Sequence, residues 1–374
     1  HDFSGTMLQL EKLAEKLAVG KLDYYIWLAT RKVLDMCLKE SPKLTQQERV
    51  SRVMLELACA IGKCVTGPHT ALLDPRNHDN SNAMVKNAQR IYTWLRKQGL
   101  EEDNICVSIP ATEAGIRAAQ CLEKDNINVN LYLVTSLIHA AACAEAKAAI
   151  ISVPVGPLLD AYEWNQRTPK NMSSHPGITA VQTILAYFKK NKIRSRLVGT
   201  SFRNLAEIGL LSDFDAVCVS PEQADRLRWS RLPVTTLEFE NAAVPATFRA
   251  QHAKYPTDLL TRKGGFSTWF SPESRNLTTR VLCGELDSMR GHMDTIEHLV
   301  ALEVKRQSDL RSMSINDLYD QYWEDTAGKD GTTRREPSRY EDILNQHESF
   351  GIPQGRGSER PYVSVPDQDL DDIF

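Results

Sequence analysis

The sequence predicts an α/β fold built from repeated βα units. Three observations carry that expectation: short apolar segments alternate with amphipathic helical ones between about residues 63 and 220, the apolar segments are nearly continuous runs, and the connections are short. Runs of that kind suit a parallel sheet covered on both faces, and short connections suit βα repeats. A closed barrel and an open doubly wound sheet both fit the pattern. No GxGxxG or GxxxxGK(S/T) loop follows any of the strands, which weighs against the nucleotide-binding form of the open sheet.

The elements follow in order. Residues 8–18 (LQLEKLAEKLA) and 24–40 (YYIWLATRKVLDMCLKE) space their apolar groups as helices do, and the segment 41–62 begins with Ser and Thr capping candidates. KCVTG at 63–67 reads as a short strand, and 81–99 as a helix ending at Gly99. Strand and helix then alternate: NICVSIP (104–110), TEAGIRAAQCLEKD (112–125), NVNLYLV (128–134), SLIHAAACAEAK (136–147), AAIISVPVG (148–156), ITAVQTILAYFKKNK (178–192), SRLVGTS (195–201), NLAEIGLLS (204–212) and DAVCVS (215–220). From about residue 313 the character changes. Two short helical stretches, 314–325 and 339–348, are separated by TAGKDGTTRREPS and followed by a Gly-, Pro- and Asp-rich stretch. The expected organisation is one large domain over 1–312 and an irregular, partly helical or disordered extension over 313–374.

Composition narrows the classes. Of the 374 residues, 42% are hydrophobic and 25% charged, enough for a sizeable core. A formal charge of -3 gives no long-range field favouring nucleic acid or an anionic membrane. The longest apolar runs fall short of the roughly 20 residues that span a bilayer. The first residues, HDFSGTMLQLEK, lack the sections of a secretory signal, so the cytoplasm is the expected compartment. The eight cysteines are scattered, without CxxC pairs, and read as reduced thiols rather than disulfides or a metal site. Neither a metal nor an organic cofactor is expected.

Several long blocks resemble the transaldolase family: IPATEAGIRAAQCLEKDNINVNL, HAAACAEAKAAIISVPVG with LLDAY, HPGITAVQTILAYFKKN and GTSFRNLAEI, in family order and spacing. Weaker similarity extends from about residue 24 to about residue 305. The resemblance implies a (β/α)8 TIM barrel of the transaldolase type, with its site at the C-terminal ends of the strands. It implies a ketose phosphate substrate attacked by a lysine on the fourth strand, with a glutamate on the third strand exchanging protons. The family's first two strands, which carry an aspartate and an asparagine, are not recognisable in this sequence.

Residue by residue, the resemblance places Ser108 where the family has its imine-forming lysine. A hydroxyl cannot supply the protonated nitrogen that serves as electron sink. The glutamate falls near Gly67, and His69 is the nearest group able to exchange a proton near neutral pH. Asn130 matches the family, whereas Tyr132 stands in place of threonine. Ser152 matches; Pro154 and Pro157 replace an aromatic and a phosphate-binding arginine. Ser201 and Arg203 match the anion-binding pair.

Read from the residues alone, Ser108 is either an altered catalytic group or a hydrogen-bonding filler. Tyr132 shares a strand face with Asn130 and is either a proton donor or a space-filler. His69 is either a proton carrier or a surface loop residue, and Arg203 either an anion clamp or one half of a structural ion pair. His139 and His175 look structural.

The expectation is a diverged transaldolase-like enzyme acting without a lysine imine on a carbonyl-containing, anionic small molecule, by aldol, retro-aldol, isomerisation or related carbon–carbon chemistry. Ser108, Asn130, Tyr132 and His69 are its catalytic candidates, and Ser152, Ser201 and Arg203 hold the anion. Its partner is then a small molecule of the sugar-phosphate class, not nucleic acid or membrane. The alternative is a catalytically inactive homologue, a pseudoenzyme that binds a sugar phosphate or meets a second copy or another protein through 313–374. A third reading keeps ordinary transaldolase activity through a displaced lysine, with Lys63 the nearest candidate. The lost machinery points to specialised rather than primary metabolism.

Overall fold

A computed structural model describes residues 6–7, 23–40, 44–62, 67–164, 172–232, 244–255, 257–261 and 265–312. The predicted helix at 8–18 and the extension from 313 lie outside these residues, as does Lys63.

Among the described residues seven parallel strands form one sheet: β1 (Thr6–Met7), β2 (His69–Leu72), β3 (Ile105–Pro110), β4 (Asn128–Tyr132), β5 (Ile150–Pro154), β6 (Arg196–Thr200) and β7 (Ala216–Val217). Their spatial order is their chain order. A doubly wound sheet reverses direction at a switch point, and a barrel wall does not. The sequential order therefore selects the barrel, the choice that apolar periodicity left open.

The helices in chain order are α1 (Asp23–Glu40), α2 (Gln46–Gly62), α3 (Ser81–Lys97), α4 (Glu113–Lys124), α5 (Leu137–Glu145), α6 (Val155–Glu163), α7 (Pro176–Lys190), α8 (Leu205–Leu210), α9 (Pro221–Trp229), α10 (Pro245–His252) and α11 (Pro272–Ser312). Helix starts are fixed by local chemistry. Asn80, Thr112, Ser136 and Asn204 each accept a backbone N–H of the first turn, and Ser220 with Gln223 forms a reciprocal capping box. Such caps are worth about 1 kcal/mol each.

Alternation along the strands separates two layers. Ile105, Val107 and Ile109 of β3, Val129 and Leu131 of β4, and Ile151 and Val153 of β5 are fully buried against the helices. The intervening positions, Ser108, Asn130 and Ser152, face the lumen, where their side chains meet.

Three local expectations are corrected. No strand was recognisable before residue 8, yet Thr6 and Met7 pair with His69 and Thr70. The strand expected at 63–67 has only Gly67 among the described residues; the strand described begins past Pro68, where pairing with Ile105–Ser108 sets its place. Strand β5 ends at Pro154 and runs directly into α6, whereas the expected strand continued to Gly156 and no helix was expected immediately after it. Gly156 permits that junction, because a Cβ there would lie 2.4 Å from the Ser201 carbonyl oxygen, which accepts the Gly156 N–H.

The 41 residues of α11 extend about 60 Å at 1.5 Å per residue. Leu282, Leu286 and Met289 lie over Tyr132, Leu133 and Leu72 at the strand ends. Further along, Ile296, Val300 and Val304 interleave with Ala29, Val33 and Cys37 of α1 and Val50, Val53 and Leu57 of α2. Arg76, after β2, pairs with Asp74 and with Asp294 and Glu297 of α11. Ile296→Ala should cost about 2–5 kcal/mol in urea denaturation; a loss below about 1 kcal/mol would mean that the helix is not part of the cooperative core.

Candidate functional site

Three buried lumen side chains form one hydrogen-bonded chain across β3, β4 and β5. The Asn130 amide donates to Ser108 Oγ at 3.0 Å, and Ser152 Oγ donates to Asn130 Oδ1 at 2.7 Å. All three are at most 1% exposed. Ser108 thus has an amide beside it, which cannot take up its proton as a general base would. No described strand carries a lysine.

Tyr132 sits above this chain. It is 7% exposed, and its phenol oxygen is buried without a hydrogen-bond partner. Burial, and secondarily the charge of Asp74, push its pKa far above the usual phenol range, so the group is a neutral donor. Leu133, the next residue, has φ 66°, a left-handed conformation that costs a non-glycine residue about 1–2 kcal/mol. That turn lets two successive residues, Tyr132 and Leu133, pack into the same apolar cluster under α11.

Asp74 is a residue the sequence reading missed. Two positions beyond Leu72, whose Cα pairs with Ser108, it continues the lumen-side alternation of Thr70 and Leu72. Placing β2 at 69–72 rather than 63–67 would have revealed a carboxylate at the end of that strand.

His69 does not join Ser108, Asn130 and Tyr132. It pairs with Ile105, and both belong to the helix-facing side of the sheet, where the His69 ring lies against Gly62. Burial lowers its pKa to about 4. His139 is also buried and shifted to about 4, again by burial first; it bonds the Ala111 carbonyl at 2.5 Å and stacks on Phe266. His175 caps α7 and meets Glu163, a structural placement.

The anion-binding candidates are separated in role. Ser152 belongs to the lumen chain, and Ser201 lies exposed at the end of β6 with φ 55°. Arg203 is shared among three carboxylates: Glu207 at 2.7 Å, Asp160 at 2.5 Å and Glu163 at 3.2 Å. Glu207 is fully buried and Asp160 is 63% exposed, so the cluster has one fixed and one loose partner.

A polar lumen beneath the C-terminal strand ends, in sequential parallel order, is the setting in which the comparisons bear. Residues 27–259 match the family described as Transaldolase/Fructose-6-phosphate aldolase, more than half of the chain. The chain belongs to the transaldolase family. A transaldolase of Kluyveromyces lactis is 35% identical over 189 residues, covering 50% of this chain and 57% of the relative. One of Allorhizobium ampelinum is 34% identical over 176 residues, covering 47% and 55%, and one of Prochlorococcus marinus 32% over 214 residues, covering 54% and 63%. The chain spans less than two thirds of the length of each of these transaldolases. Among the described residues no helix is long and apolar enough to cross a membrane.

Two of the buried histidines, His69 and His139, give the family scaffold here a defined acid response. Their folded pKa values, about 4, lie below the unfolded value of about 6.5, so the stability tied to their neutral forms is complete above pH 6.5 and is lost as pH falls towards 4. His139→Gln keeps a donor for the Ala111 carbonyl but does not titrate. It should reduce the difference between urea midpoints at pH 7 and pH 4.5; an unchanged difference would show that His139 is not protonated on unfolding.

Proposed function

We propose that this transaldolase-family chain acts on a carbonyl-containing sugar phosphate or a close analogue, by aldol, retro-aldol, isomerisation or related carbon–carbon chemistry, without forming a lysine imine. The observation that carries the reading is the phenol of Tyr132: buried beneath α11, unpartnered, and placed over an ordered Asn130. An unsatisfied buried hydroxyl costs about 1–3 kcal/mol, a cost that a substrate oxygen accepting its proton removes. The neutral phenol then hydrogen-bonds the carbonyl oxygen as negative charge develops on it. Asn130, fixed by Ser108 and Ser152, orients the substrate; Asp74, whose charge reaches the Tyr132 phenol, is itself held by Arg76.

The anionic end of the substrate falls to Arg203 with Ser201. A phosphate exchanges for Asp160, because an exposed ion pair is worth at most about 1 kcal/mol, while the buried Glu207 keeps the guanidinium in place. The cytoplasm and carbohydrate metabolism of a specialised kind are the setting this reading assigns.

A second reading, an inactive homologue that binds a sugar phosphate without turnover, is favoured by one observation: Leu282, Leu286 and Met289 pack over Tyr132 and so crowd the strand ends. Turnover and binding separate the two. With fructose 6-phosphate and related ketose phosphates, borohydride should leave no adduct on the intact protein by mass spectrometry, and a trapped adduct would overturn the imine-free chemistry. Tyr132→Phe should raise the thermal midpoint while lowering turnover at least about ten-fold; raised stability with unchanged turnover would make Tyr132 a filler. Asp160→Asn should tighten sugar-phosphate binding and Arg203→Ala abolish it. Binding with that mutational pattern but no turnover of any tested substrate selects the second reading.

A further inference from the structure

Beside the lumen, α2, β2, α3 and α11 border a cavity of about 290 Å³. Met54 and Leu55 of α2, Leu72 of β2, Ile91 of α3 and Met293 of α11 give it apolar walls. Ligand pockets begin at roughly 300 Å³ and combine apolar walls with a few convergent polar groups. This cavity is therefore of a size for a small ligand.

Its polar groups are unequal. Arg76 borders it together with Asp74 and Glu297, but those two carboxylates and Asp294 already occupy that guanidinium. Asn87 and Arg90 also border the cavity, three residues apart and so on one face of α3. Among the described residues neither makes a side-chain hydrogen bond or ion pair. Arg90 is exposed and Asn87 half-buried, so the uncommitted charge stands at the rim and the amide stands further in.

We propose that this cavity binds a small carboxylic acid with an aliphatic body, its carboxylate held by Arg90 and Asn87 and its chain lying against Met54, Leu55 and Ile91. The charge pattern sets the direction of entry. The carboxylate excess around Arg76 repels an anionic head, whereas Arg90 attracts it where water still reaches it, which avoids the large cost of burying an ion. The aliphatic body displaces water from the apolar walls, a gain of about 25 cal/mol per Å² buried. A sugar phosphate fits this site poorly, since it has no apolar body to bury.

Isothermal titration of the full chain with sodium octanoate, with 1-octanol as the uncharged control, tests the assignment. Octanoate should bind saturably and at least about ten-fold more tightly than octanol. Arg90→Gln, a change at an exposed position, should reduce octanoate affinity to the octanol level and leave octanol binding and the thermal midpoint unchanged. Tyr132→Phe should leave octanoate affinity unaltered, which separates this cavity from the lumen and from the proposed function. Absence of saturable octanoate binding in the millimolar range, equal affinity of Arg90→Gln and wild type, or loss of binding in Tyr132→Phe would each overturn the proposal.

Discussion

The burial of α11 is the interaction on which the rest of the structure depends. A parallel wall whose lumen carries Ser108, Asn130 and Ser152 gains little hydrophobic energy from its interior, so its stability must come from the helix layer and from whatever covers the strand ends. One helix serves both needs here. Its middle, through Leu286, closes over Tyr132, and its later turns, through Ile296, Val300 and Val304, complete a three-helix cluster with α1 and α2. Loss of that packing would simultaneously open the lumen and strip the third helix from the cluster that α1 and α2 share.

Polar contacts then fix where the cover lies. Thr135, after β4, bonds Thr278 at 2.7 Å near the start of α11, and Arg76 ties Asp294 and Glu297 just past its midpoint. Dispersion and apolar burial are non-directional and would tolerate a slide along the helix axis. Hydrogen bonds and ion pairs with defined geometry do not. The same division operates on the opposite side of the mouth, where the buried Glu207 positions Arg203 against α6.

What the sequence made legible was local or family-patterned. Period-2 alternation put Asn130 and Tyr132 on one face, and the block IPATEAGIRAAQ set Ser108 within the strand that precedes it. Choices decided by distant partners were not legible. Arg203 stood between an anion clamp and one half of an ion pair because two of its carboxylates, Asp160 and Glu163, lie 43 and 40 residues away, on a helix that the sequence pattern did not mark. His69 stood between a proton carrier and a surface loop residue because no strand was placed at 69–72; within a strand, a shift of one residue exchanges the lumen face for the helix face. Asp74 stayed hidden for the same reason, since a carboxylate past an unplaced strand has no assigned face. Strand β1, two residues long, carries too little pattern to be seen at all.

The chemistry of the lumen follows from what a parallel strand end can hold in place of an amine. A protonated imine withdraws electrons through a covalent bond, so its surroundings need only position it. A neutral phenol withdraws them through a hydrogen bond alone, and its effect depends on exclusion of water, because a competing water would take the same donor. Under the proposed function Tyr132 therefore needs a tight apolar lid more than a lysine would. The positive φ of Leu133 supplies it, bringing a second apolar side chain alongside the phenol at a backbone cost that the contact with Leu286 offsets. Strain at Leu133, burial of Tyr132 and the placement of α11 together keep the unpartnered phenol dry, which is what the proposed function asks of it.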